Sequence, residues 1–97
     1  MMADKEVYEF EWDTGNTNKN IKHKVVDTEA EEVFFDQNKV VYKDVLHSRK
    51  EIRYILLGKT KTKRLLFVVF TKRKNKIRII SARVVNKKEV FLYEKKS

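Results

Sequence analysis

At 97 residues the chain has the length of one domain, and it holds no cysteine, no proline and only two glycines, Gly15 and Gly58. That composition excludes disulfides, thiolate zinc sites and a cysteine nucleophile, and it argues against a glycine-rich phosphate loop or a low-complexity linker. The net charge of +9 is unevenly spread: residues 1–36 hold ten acids against four lysines, whereas residues 37–97 hold nineteen bases against four acids. The later part should therefore carry a positive field suited to a polyanion such as nucleic acid, or to an acidic protein.

The first residues, Met1-Met2-Ala3-Asp4-Lys5-Glu6, have no apolar signal core, and the longest apolar run, residues 65–70, is far short of a membrane span. A soluble, cytoplasmic protein is expected, with residues 1–97 forming one domain and residues 1–6 flexible. From Val7 to Trp12, Tyr8, Phe10 and Trp12 share one face and Glu9 and Glu11 the other, the alternation of a half-buried strand. Residues 13–16 read as a turn, and a short polar helix is expected over 17–23. Asp27 has the chemistry of an N-cap for a second helix over 28–35. There Ala30, Val33 and Phe34 fall at i, i+3 and i+4 and form a core-facing stripe.

Four strands follow, over 39–45, 52–57, 65–70 and 76–82. The second is expected to end at Gly58. The third is wholly apolar and so should be central. Residues 59–63 and 72–76 read as hairpin loops with basic tips, so the strands form an antiparallel meander. Asn86 and Glu89 have the spacing of a capping box and open a last helix over 87–94, with Val90 and Tyr93 on its inner face. The expected fold is α+β: a strand, two helices, a four-stranded antiparallel meander and a C-terminal helix. The helices should cover one sheet face and the arginines should occupy the other.

Phe10-Glu11-Trp12-Asp13 followed by Asn20-Ile21-Lys22-His23 resembles the opening of the BrnT toxins. The acidic stretch Glu32-Val33-Phe34-Phe35-Asp36 is also similar, as is the middle formed by His47-Ser48, Glu51, Arg53-Tyr54 and Leu57-Gly58. Arg64 to Thr71 and Arg78-Ile79-Ile80-Ser81-Ala82-Arg83 resemble the family's two most recognisable strands, and Glu89 with Tyr93-Glu94 its closing helix. The resemblance covers about residues 8–94. Lys24 departs from it, standing where the family usually has glycine. The resemblance implies a RelE-like fold and inhibition of translation by RNA cleavage. It also implies a BrnA-like antitoxin with a ribbon-helix-helix part, and a complex that binds operator DNA.

RNA carries its own nucleophile, the 2′-hydroxyl, so an enzyme need only orient it, move its proton and stabilise the charge on phosphorus; no metal or other cofactor is expected. Only six of the 23 bases are arginines, and the planar guanidinium fork suits phosphate, so each arginine is a candidate for a specific task. Arg83 and Arg78 are the leading catalytic candidates, with Arg64 behind them, and Arg53 and Ser81 as RNA contacts. Arg78 and Arg83 are five residues apart and would lie on opposite faces of a regular strand, so both reach one face only if the strand bulges or ends before Arg83. The alternative for Arg78 is a salt bridge to an acidic residue of a neighbouring strand.

His23 and His47 are the candidate proton handlers, or else exposed loop residues without a role, and Lys22 beside His23 is a candidate RNA contact. Tyr93 is either core or an RNA-stacking group near the site, Glu51 a base or an arginine's partner, and Trp12 core or a stacking platform. Asp13, His23 and Asp27 form too loose a trio to be assigned a metal. Two other functions fit the same residues. One is a non-catalytic nucleic-acid-binding domain; the other is an interaction subunit whose basic face meets an acidic partner.

Overall fold

The computed structural model describes residues 8–96. Val7 and the segment expected to be flexible lie outside the described residues. The sheet runs β1 (Val40–Lys43), β2 (Arg53–Lys59), β3 (Leu65–Arg73) and β4 (Lys76–Val84), in that spatial order and antiparallel throughout. The wholly apolar run is the middle of β3, paired on both sides. Among the described residues there are two α-helices, α1 (Asp27–Glu32) and α2 (Lys87–Lys96), with 3-10 turns at Ile21–His23, Val33–Phe35 and Val45–His47.

The pleat divides the apolar residues into two clusters. Leu56, Leu66, Val68, Phe70, Ile79 and Ala82 point to one face, where Ala30 of α1 and Val33 and Phe34 of the following turn cover them. Ile55, Leu57, Phe67 and Val69 point to the other, where Tyr93 of α2 packs. The helices thus lie on both faces, not on one as expected. The reason is Tyr93, whose ring enters the second cluster while its hydroxyl donates to Asp36 Oδ2 at 2.6 Å.

The amino-terminal strand is reduced to a single parallel bridge between Phe10 and Ile77, in which Glu11 N–H donates to Ile77 O and Ile77 N–H to Glu9 O, both at 2.8 Å. Beyond it two buried asparagine side chains take over the edge of β4. Asn16 Nδ2 donates to Ile79 O at 3.0 Å, and Asn20 Oδ1 accepts from Ala82 N–H at 2.9 Å. Tyr8, Phe10 and Trp12 nonetheless pack on the first cluster, as their alternation requires.

The expected helix over 17–23 shrinks to the 3-10 turn Ile21–His23, because Asn18 and Lys24 flank it with φ of 57° and 60°. Left-handed backbone cannot continue a right-handed helix. The cap of α1 is Val26 rather than Asp27. Glu29 Oε1 takes the Val26 N–H at 3.2 Å, and the Asp27 carboxylate instead takes the Asn18 N–H at 3.0 Å. The Asn86–Glu89 box is as expected, with reciprocal 2.9 Å bonds opening α2. Gly58 lies inside β2 and does not end it. A Cβ there would sit 2.8 Å from Val33 O, so the glycine lets the strand pass under the turn after α1.

Candidate active site

The register of β4 decides which side chains can meet. Phe70 pairs with Ile79 and Val69 with Ser81, leaving Ile80 without an opposite residue. This one-residue bulge cancels the odd spacing between Arg78 and Arg83. Arg78 lies opposite Thr71, Ser81 opposite Val69 and Arg83 opposite Phe67, all on the face that α2 partly covers. Arg53, opposite Thr71 on the other side of β3, joins them there. Four of the expected site residues thus share a face.

Arg83 is held in a fork. Its Nη1 and Nη2 donate to Glu89 Oε1 and Oε2 at 2.8 and 2.7 Å, and its guanidinium lies 4.0 Å from the centroid of the Phe67 ring. Glu89 also serves as the capping-box residue of α2, so one carboxylate fixes both the helix entry and the arginine. Burial pushes the Glu89 carboxyl up, but the hydrogen bonds from Arg83 and from the Asn86 N–H, together with the Arg83 charge, outweigh it and hold the group below its ordinary range.

Arg78 is more enclosed, with 14% of its side chain exposed. It donates to both oxygens of Asp13, at 2.9 and 3.0 Å, and to Glu11 Oε1 at 3.2 Å. The Arg78 bond, joined by the Gly15 N–H, holds the Asp13 carboxyl below its usual value. Gly15 leaves room for this clamp, since a Cβ there would lie 2.7 Å from Arg78 Nη2. The acidic neighbour allowed for Arg78 is therefore present, in the segment beside β4. Arg64 stands apart in the loop before β3, donating to Glu29 Oε2 of α1 at 2.7 Å, and does not join the arginine face.

Near Arg53 the face opens into a cleft lined by His47, Arg49, Lys50, Glu51, Arg53 and Arg73 with Leu46. Arg73 is tied to Glu51 at 3.4 Å and Glu11 at 3.5 Å, so Glu51 is an arginine's partner. Among the described residues, no carboxylate lies within ion-pair distance of Arg49 or Arg53, in contrast to Arg64, Arg73, Arg78 and Arg83. His47 contacts the Asp44 carboxylate through Nδ1 at 2.9 Å, which leaves Nε2 outward. An acid that fixes one ring nitrogen so that the other faces outward is the arrangement a proton-transferring histidine needs.

Lys22 and His23 are exposed on the 3-10 turn at the outer edge of β4, across the sheet from His47, which follows β1. Tyr93 is core, 4% exposed, with burial and then Asp36 pushing its hydroxyl far up and keeping it a proton donor. Trp12 is packed on the core with Nε1 donating to Glu31 Oε2 at 2.6 Å.

Sequence reasoning missed three parts of this arrangement: Asp44 as the partner of His47, the Phe67 ring under Arg83, and Glu89 as the lock on Arg83. The first had a local signal, an acid three residues before a histidine. The Phe67 ring needed the β3–β4 register, and the Glu89 lock needed the placement of α2 over that face. Among the described residues no group of three or more His, Cys, Asp or Glu could hold a metal ion, and no helix is long and apolar enough to cross a membrane.

A sequence model of the family described as the ribonuclease toxin, BrnT, of type II toxin-antitoxin systems matches residues 12–89. The chain belongs to the BrnT toxin family. The matched span includes the Asp13–Arg78 clamp, the Arg78–Arg83 face and, as its last residue, Glu89. No curated protein matches the chain. A toxin of this type acts on RNA as a ribonuclease and is paired with an antitoxin.

Proposed function

We propose that this BrnT toxin is a metal-independent, RelE-like endoribonuclease that inhibits translation in the cytoplasm by cutting RNA on its arginine-bearing sheet face. The observation that carries the reading is the bulge at Ile80, which turns Arg78, Ser81 and Arg83 toward the face that holds Arg53. In the reaction the 2′-oxygen attacks the adjacent phosphorus in line, the P–O5′ bond breaks, and the products end in a 2′,3′-cyclic phosphate and a 5′-hydroxyl. Arg53 and Arg49 supply the guanidinium forks not already bound to a carboxylate, and Ser81 adds a hydroxyl donor. Arg83 takes a phosphate oxygen by exchanging Glu89 for it. Arg78 stays on Asp13 and contributes a fixed positive charge. His47 takes the 2′-hydroxyl proton at Nε2 while Asp44 holds Nδ1, and water gives the departing 5′-oxygen its proton.

Strand geometry argues against all the arginines meeting on one phosphate. Arg53 and Arg83 are two strands and four residues apart, roughly 16 Å between Cα atoms from ~4.8 Å per strand and ~3.3 Å per residue. They would therefore grip neighbouring positions along the chain. Lys22, His23 and Arg64 are outside this grip and at most touch flanking RNA. The whole chain acts as a single domain. Its antitoxin is BrnA-like, with a ribbon-helix-helix part that brings the pair to operator DNA, and it covers part of the basic face.

The test is incubation of the purified chain with single-stranded RNA, mapping the ends with and without EDTA. Cyclic-phosphate ends, indifference to EDTA, and at least 100-fold loss in both Arg53→Ala and Arg83→Ala are expected. Undiminished cutting in either variant removes that residue from the site, and loss with EDTA ends the metal-free mechanism. A non-catalytic nucleic-acid-binding role is favoured by one observation, the engagement of Arg78 and Arg83 by carboxylates. It would show as RNA retention without new ends.

A further inference from the structure

The two edges of the sheet are treated differently. The outer edge of β4 is sealed by the Phe10 bridge and by the Asn16 and Asn20 side chains. The outer edge of β1 carries no such cover among the described residues. Asp44 N–H donates to Arg53 O, and the register alternates from there. Val40 and Tyr42 therefore use their backbone groups on β2, while the N–H and C=O of Val41 and Lys43 point outward. An open edge of this kind is a template for another strand, and folded proteins normally blunt or cover it.

Apolar surface accompanies the edge. Val41 is 45% exposed, Val45 and Leu46 just beyond it 77% and 84%, and Leu92 of α2 forms the far wall of a groove with Val40, Val41 and Tyr42. The charge around that groove is mostly positive, since the two carboxylates that act on Tyr42, Glu89 and Asp44, are engaged with Arg83 and His47. Lys39 lies in it and Lys43 ends the strand, while Lys88 and Lys95 sit four before and three after Leu92 on the same side of the helix. A second copy would bring another +9 chain and the same lysines to this edge, which disfavours self-pairing.

We propose that the antitoxin docks an extended segment, alternating apolar and acidic side chains, as a fifth strand on β1. Its backbone takes the outward groups of Val41 and Lys43. Its apolar side chains fill the groove against Leu92, and its acids meet the surrounding lysines. This rests on the family's toxin–antitoxin pairing, and it gives the partner a foothold beside the arginine face without touching Arg53, Arg78 or Arg83.

The experiment uses the full chain and the antitoxin encoded beside it. Hydrogen exchange at the Val41 and Lys43 amides should slow at least tenfold on complex formation. Val41→Pro removes an outward donor without breaking a bond to β2, and proline is tolerated on such an edge. Leu92→Lys removes apolar wall and adds a fifth lysine without altering the backbone. Each should weaken antitoxin binding at least tenfold, with RNA cutting by the variant alone unchanged.

Full affinity in both variants overturns the proposal. So does slow exchange at these amides in the free chain, which would mean that the edge is already covered. Binding and cleavage are read separately. A chain that holds its antitoxin here yet cuts no RNA sinks the nuclease reading and upholds this one.

Discussion

Arg83 answers to two claims at once, a substrate phosphate and Glu89, and the balance between them can be measured. Its side chain is 39% exposed, so the ion pair is screened and contributes on the order of 1 kcal/mol or less to stability. Glu89→Gln keeps a carbonyl oxygen for the Asn86 N–H but removes the competing charge. RNA should bind that variant several-fold more tightly in a filter or anisotropy assay, while Tm falls by a few degrees at most. Tighter folding with weaker RNA binding would show that Glu89 assists the substrate instead of competing with it. Arg83→Lys retains the charge and loses the fork, so it should recover little of the activity lost in Arg83→Ala.

The depressed carboxylates give the residue scale a pH signature. Asp13, Glu29, Asp36 and Glu89 all sit below their ordinary values of 3.8 or 4.5. Burial raises Glu29, Asp36 and Glu89 but is outweighed by hydrogen bonds from Arg64, from Tyr93 and from Arg83, respectively; for Asp13 the Arg78 bond is the leading cause. A carboxylate lowered by folding stabilises the native state at pH values above its unfolded pKa. That contribution is lost as pH falls through the folded value. Tm should therefore be flat from neutral pH down to about 5 and drop below about 4. Glu89→Gln should show a shallower drop, and an acid limb identical to that of the unaltered chain would contradict this account of Glu89.

At the scale of elements, what could be read in advance was whatever local spacing determines. The Asn86–Glu89 box depends on residues three apart and appears as expected. The four strands are visible as β-prone runs, and β3 is central because nothing in its middle is polar. The amino-terminal strand was misjudged because alternation reports which side chains are buried and is blind to what holds the neighbouring edge. Two asparagines do that here, with hydrogen bonds spanning more than 60 residues of sequence. The parity of Arg78 and Arg83 pointed to a bulge or an early strand end. The bulge at Ile80 is the first of these, and no residue type there announces it. The carboxylates that hold the arginines were largely invisible, since each lies in another element.

Gly58 illustrates the same limit and yields a test. In sequence it marks a strand end; in the fold it permits contact between β2 and the Val33–Phe35 turn. Gly58→Ala should lower stability by about 1–3 kcal/mol, the usual consequence of overpacking a closed contact, because Val33 O is backbone and cannot swing away. Urea unfolding at a fixed m-value measures it. By contrast, Gly15→Ala meets only side-chain tips, those of Arg78 and Asp13. It should loosen the Asp13 clamp with a smaller loss of stability, and a loss equal to that of Gly58→Ala would mean that the clamp is rigid.

For the molecule as a whole, the question is how much of the +9 charge reaches RNA. The net value already counts every acid, but it does not say which bases are free for phosphate: Arg64, Arg73, Arg78 and, until it exchanges Glu89 for phosphate, Arg83 each face a carboxylate. If the bases that engage single-stranded RNA are Arg49, Arg53, Lys50 and one further cation, four phosphates are neutralised. Each released counterion contributes about 0.7 to the slope for a single strand, so log K should fall against log salt with a slope of about −3. Were the total net charge the determinant, the slope would be about −6 on the same rule. Arg53→Ala should make the slope shallower by about 0.7, whereas Arg64→Ala, which only frees Glu29 on the opposite side of α1's contact, should leave it unchanged. Anisotropy titrations with a deoxy-substituted RNA, which lacks the 2′-nucleophile and so cannot be cut, separate binding from turnover. A slope near −1, or one altered equally by both substitutions, would show that the cleft beside His47 is not where the RNA backbone lies.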